Sequence, residues 1–206
     1  MSRIKILVIV LGVLALAVLA AAGYVLSRGI SARDEPSAAE AFLARRMRSL
    51  AVPRSARNQP NPVPRTHEGL VEALAHFADH CASCHANDGS GKTEIGQNLY
   101  PRAPDMRLPA TQSLSDGELF YIIENGIRLT GMPAWGSGAE SHDGATASWQ
   151  LVHFIRYLPK LTAVEIAEME RLNPKTVDEL AEEARADDFL AGEQQESSPP
   201  AAEHQH

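Results

Sequence analysis

The apolar positions divide the chain before any motif is considered. Ile4 to Leu26 is an apolar run broken only by Lys5 at its start and by Gly12, Gly23 and Tyr24, and as a helix it would extend about 34 Å, enough to cross a bilayer core. Arg3, Lys5 and the small residues Ala20 to Gly23 also suit a cleaved signal peptide. The run is longer than a usual signal core, so an uncleaved anchor over residues 1–30 is the expectation. From Ser37 to Leu50 the period becomes that of an amphipathic helix, with Ala39, Leu43, Met47 and Leu50 on one side and Arg45, Arg46 and Arg48 elsewhere. This segment suits either a helix on the membrane surface or a partly ordered connector with solvated arginines. Four prolines, Pro53, Pro60, Pro62 and Pro64, with Asn58 and Asn61, then exclude a long helix. Residues 31–66 are therefore expected to be a juxtamembrane helix and a stiff linker that holds the next domain off the membrane.

Helical periodicity resumes at Thr66, a plausible cap, with Leu70, Leu74, Phe77 and Cys81 recurring at helical spacing. Asp88 to Lys92 is a turn-rich loop without the strand and helix of a nucleotide site. Tyr100 to Asp105 is proline-braced and extended. A capping box, Ser115 to Glu118, opens a short helix that Asn125-Gly126 closes. Gly136 to Gly144 has loop composition, and Leu151, Phe154, Ile155 and Leu158 form the apolar face of a helix ended by Pro159. Two more capping boxes, at Thr162 and Thr176, flank Asn173-Pro174, and Ile166 and Met169 suit packing of the first helix on the domain. The expectation is an all-α protein with a domain over residues 67–160, an acidic helical extension over 161–190 and a structureless tail over 191–206.

Charge refines this division. Residues 1–66 hold ten Lys and Arg against three Asp and Glu, residues 67–160 six against eleven, and residues 161–206 three against twelve. An acidic folded part argues against a nucleic-acid partner and leaves a charge-steered protein partner open.

Both cysteines fall in Cys81-Ala82-Ser83-Cys84-His85. This C-x-x-C-H run is the attachment signature of c-type haem, in which two thiols add to the porphyrin and the histidine takes the iron. Cysteines three apart share one side of a helical turn and can reach one flat macrocycle. A zinc site would want a second ligand pair, and a thioredoxin-like pair a β-α-β context; the sequence offers neither. Five arginines, Arg28, Arg33, Arg45, Arg46 and Arg48, follow the apolar run and by charge count would keep the domain inside. The haem motif overrides that count, because covalent haem attachment occurs outside the cytoplasmic membrane in most bacterial systems.

A second axial ligand is expected from Met132, held between Gly131 and Pro133 rather than at helical spacing in a core. Met106, His142, His153 and an open position are the alternatives. A carbonyl near Pro101 or Pro104 suits the His85 ring N–H. Arg102 suits either a haem propionate or solvent. Trp135 and Trp149 are candidate pocket residues, with Trp149 expected near the haem edge. His204 and His206 suit either weak metal binding or an uncoordinated tail.

A leading helix ending in C-x-x-C-H, a proline-braced loop, a capped helix, the Gly131-Met132-Pro133-Ala134-Trp135 loop and a closing helix together resemble a class I cytochrome c over about residues 67–160. Leu114 to Trp135 is similar to the small bacterial cytochromes, membrane-tethered or fused to oxidases, of respiratory chains. The resemblance implies an all-α domain with one haem c, His/Met-ligated iron and a partly exposed haem edge. The corresponding function is an electron carrier between respiratory redox partners, tethered to the inner membrane with its haem domain in the periplasm. A haem enzyme with an open iron position, such as a peroxidase or small-oxide reductase, and a structural or sensor subunit are the alternatives.

Overall fold

The computed structural model describes residues 2–29, 31–136 and 142–196. Among these, every regular element is a helix, so the protein is all-α. Arg3–Arg28 forms α1, Ala38–Ala51 α2 and Arg54–Arg57 α3. His67–His76 is α4, which passes through a π-helical turn, Phe77–Cys81, into the short helix α5, Ala82–His85. Two single-turn helices follow, α6 at Glu94–Gln97 and α7 at Pro109–Gln112. The domain closes with α8, Asp116–Asn125, and α9, His142–Tyr157. Beyond it lie α10, Ala163–Leu172, and α11, Val177–Glu196.

Local chemistry sets most of these boundaries. Thr66 accepts from Gly69 N at the start of α4, and the capping boxes at Ser115 and Thr162 form as expected. The core lies where α4 crosses α9, around the fully buried Phe77, Val152, Phe154 and Leu158. Phe77 and Phe154 rings sit 5.1 Å apart, tilted against each other. Met169 is fully buried from α10, so that helix is part of the domain wall and the packing expected of Met169 is realised.

The segment before the domain departs from expectation. It is not a free spacer but is packed on the domain, and Val52 is buried. Gly117, in the first turn of α8, lacks the Cβ that would collide with the Ala56 carbonyl, so α3 lies directly against α8. Ser115 Oγ donates to the Arg57 carbonyl at 2.7 Å, and Arg57 pairs with Glu118 at 3.3 Å. Farther along, Asn61 Nδ2 donates to the Trp149 carbonyl at 3.0 Å and the Val63 carbonyl meets His153 Nε2 at 2.8 Å.

At the other end, α11 continues to Glu196, into the 191–206 stretch expected to be a structureless tail. His204 and His206 lie outside the described residues, as do residues 137–141 of the Gly136 to Gly144 loop and the side chain of His142.

Candidate functional site

The π-helical turn widens the end of α4 just before the Cys81–His85 motif, and α5 ends at His85 as Ala86 adopts φ 59°. The carbonyls exposed at that end are satisfied by the following loop. Gly91 N donates to the His85 carbonyl at 2.8 Å and Thr93 Oγ1 to the Cys84 carbonyl at 3.1 Å. Gly96 comes so near the Cys84 carbonyl that a Cβ would not fit, and Gly91, at φ 69°, is as close to the Ala103 carbonyl. The Asp88 to Lys92 loop therefore clamps the motif's end against the Tyr100 to Asp105 strand of chain.

The Met132 loop is built against the other side. Gly126, at φ 64°, ends α8 beneath the Met132 and Pro133 backbone, with no room for a side chain. Met132 N donates to Thr130 Oγ1 at 3.1 Å, the Met132 carbonyl accepts from Ile127 N at 3.1 Å, and Trp135 N donates to the Ile123 carbonyl at 3.0 Å.

Between these two constructions lies a cleft enclosing about 390 Å³, its open mouth included, lined by His76, Phe77, Cys81, His85, Met106, Ile123, Met132, Trp135, Leu151 and Ile155. Three of the expected residues, Cys81, His85 and Met132, thus share one apolar space, together with Trp135. Cys84 is partly buried on the next turn. Met106, weighed as an alternative ligand, lines the same cleft; it is buried within the core. Pro101, Arg102 and Pro104 do not line it. Arg102 instead pairs with Glu35 at 2.8 Å, drawing the chain after α1 onto the domain. Trp149 is buried and stacked on Phe120 at 4.0 Å, away from the cleft lining, and His153 is taken up by the Val63 carbonyl.

The electrostatics of the cleft favour neutral donors. Burial pushes the His85 pKa below its ordinary value, opposed by the approach of the Pro104 carbonyl. That approach falls short of hydrogen-bond geometry, and His85 Nδ1 is buried without a partner. Burial, and then the neighbouring Cys84, push the Cys81 thiol up to about 12, so it is protonated at neutral pH. Two free thiols one turn apart, a neutral imidazole with an unpartnered nitrogen, a thioether and an apolar lining form a donor set that fits a haem bound through thioethers and axial His and Met.

Two residues at the mouth escaped the sequence reading. His76 lines the cleft and meets His80 edge-on at 4.9 Å, while His80 lies 5.5 Å from Trp135 and pairs with Asp79 at 2.9 Å. Burial, followed by His80, lowers the His76 pKa. Their four-residue spacing on one helix was the available signal.

The helical fold and this cleft define a c-type cytochrome domain. Residues 70–155, from α4 through most of α9, match the family model described as cytochrome C oxidase, cbb3-type, subunit III. The match includes Cys81, Cys84, His85 and Met132 and leaves both flanks outside. It supports a haem c-binding electron-transfer domain. No curated protein matches the chain.

Proposed function

We infer that the protein is a membrane-anchored carrier of single electrons between respiratory-chain proteins. One haem c is attached through Cys81 and Cys84, with His85 and Met132 as axial ligands. The observation that carries this reading is the presence of His85 and Met132 in one apolar cleft beside Cys81. Bound haem supplies a reversible one-electron iron couple.

The chain's own residues supply the rest. His85 stays neutral because it is buried, with the Pro104 carbonyl close to its ring. The hydrogen bonds of Thr130, Ile127 and Met132 hold the thioether loop in place. Apolar walls exclude water, which with methionine ligation favours the reduced state and a raised potential. Two protein ligands leave no iron position for a substrate, and this favours a carrier over a haem enzyme. Anchoring follows from α1, whose residues 3–27 contain an 18-residue stretch with a mean hydropathy of 2.9, none of it buried. The requirement for haem attachment places the domain on the extracytoplasmic side of the inner membrane.

Carbon monoxide binding to the reduced holoprotein tests the site. Slow, weak binding at neutral pH is expected, and Met132→Ala should bind rapidly and tightly. Rapid binding by the unsubstituted protein would remove Met132 as a permanent ligand and restore the enzyme reading.

A further inference from the structure

Helix α2 has two faces with different fates. Toward the domain it turns Ala41, Arg48 and Ser49, all partly buried, and Val52 just beyond its end is buried. Arg48 lies within the electrostatic reach of Glu118. On the opposite side Leu43, Met47 and Leu50 stand in the open at 58, 61 and 82% exposure, with Phe42, 57% exposed, at the edge of that face. Positions 43, 47 and 50 follow one another along a single helix face, so this is a continuous apolar stripe about 11 Å long. Arg46 lies at the edge of this side, its guanidinium 5.5 Å from the Phe42 ring centroid, while Arg45, exposed as well, adds its charge from the flank nearer Arg48. An apolar face with Arg46 folded at its edge and a second exposed arginine on the same helix suits a surface of anionic headgroups over acyl chains.

Position along the chain says what covers the face. Nine residues separate the end of α1 at Arg28 from Ala38, so α2 begins no more than about 35 Å from the end of α1. Within that stretch Glu35 is tied to Arg102, and Glu40 in the first turn of α2 receives a hydrogen bond from Tyr100. The stripe is thus held by the domain and kept close to the bilayer by α1.

We propose that α2 lies in the lipid surface with Phe42, Leu43, Met47 and Leu50 inserted among anionic lipids, and seats the haem domain on the membrane through its opposite face. This rests on α1 being the anchor. The domain is then fixed in height and orientation rather than swinging on a linker, and its cleft faces a constant direction.

The test uses the full haem-loaded chain with p-benzoylphenylalanine in place of Leu43 or Leu50, in vesicles of phosphatidylglycerol and phosphatidylethanolamine and, separately, in native membranes. Alkaline carbonate washing comes first, and release of the protein would overturn the anchor and the seating with it. After retention, illumination should give lipid adducts on the α2 peptide at both positions, read by mass spectrometry. Replacing phosphatidylglycerol by phosphatidylcholine, or introducing Arg45→Gln with Arg46→Gln, should lower their yield about tenfold. Retention without lipid adducts overturns the seating alone. So does crosslinking to another protein in place of lipid in native membranes, which would assign the stripe to a protein partner.

Discussion

The two flanks of the cytochrome domain read alike as appendages, yet the stretches that adjoin it are built into it in different ways. Residues 52–63 have little helix of their own; their carbonyls at Arg57 and Val63 are met by Ser115 and His153 of the domain, and the Ala56 carbonyl lies against Gly117. The C-terminal flank splits: α10 buries Met169, while α11 is exposed along its described side chains, with Val177 and Phe189 in the open. The difference is one of backbone satisfaction. A proline-rich stretch cannot close its own hydrogen bonds and must find partners elsewhere. An acidic helix capped by its own Thr176 and Glu179 has already closed them and keeps its charges in water.

The sharpest break in this comparison is Met169→Ala, which opens a cavity where α10 meets the core and should cost about 3 kcal/mol in denaturant unfolding of the holoprotein. Gly117→Ala should cost about 2 kcal/mol, because a methyl group has to push α3 from α8; a neutral result would make the N-terminal flank a tether after all. Asn61→Ala removes one bond to the Trp149 carbonyl and one from Val63 N, and should cost about 1 kcal/mol.

Acid separates the two C-terminal helices. For Glu165, burial pushes the pKa up, but hydrogen bonds from Thr162 and Tyr157 outweigh it and hold the carboxyl below its ordinary value. Glu179 is lowered chiefly by its bond from the Thr176 backbone. Both caps therefore stabilise fully above the ordinary value of 4.5 and are lost as pH falls through the lower folded values. Amide exchange should show residues 177–196 opening first, while 163–172 stay protected by Met169; simultaneous opening would join α11 to the domain. The smallest effect is expected from truncation after Lys175, a change within about 0.5 kcal/mol.

The residues proposed for the haem site were legible because their information is local. Cys81, Cys84 and His85 lie within one helical turn, and Met132 stands between two residues that forbid helix, so spacing and flanks alone marked them. Their meeting in one cleft is a tertiary fact. The pocket roles offered to Arg102 and Trp149 failed to appear in the cleft lining for a matching reason: a guanidinium and an indole have many acceptable partners, and Glu35 and Phe120 took them. His76 and His80 were passed over because two histidines at helical spacing have no unique reading until Trp135 is placed beside them.

Sequence by itself determined the helices and their caps, the apolar run of α1 and the attachment motif. Each depends on periodicity or on side chains reaching backbone within a turn. Tertiary structure alone decided that the proline-rich segment is part of the domain and that α2 carries a bare apolar face. It also decided that His85 and Met132 line a common cleft. Those outcomes depend on which carbonyl meets which donor across 50 to 90 residues of chain, as between Arg57 and Ser115 or Val63 and His153, and no local pattern encodes that choice.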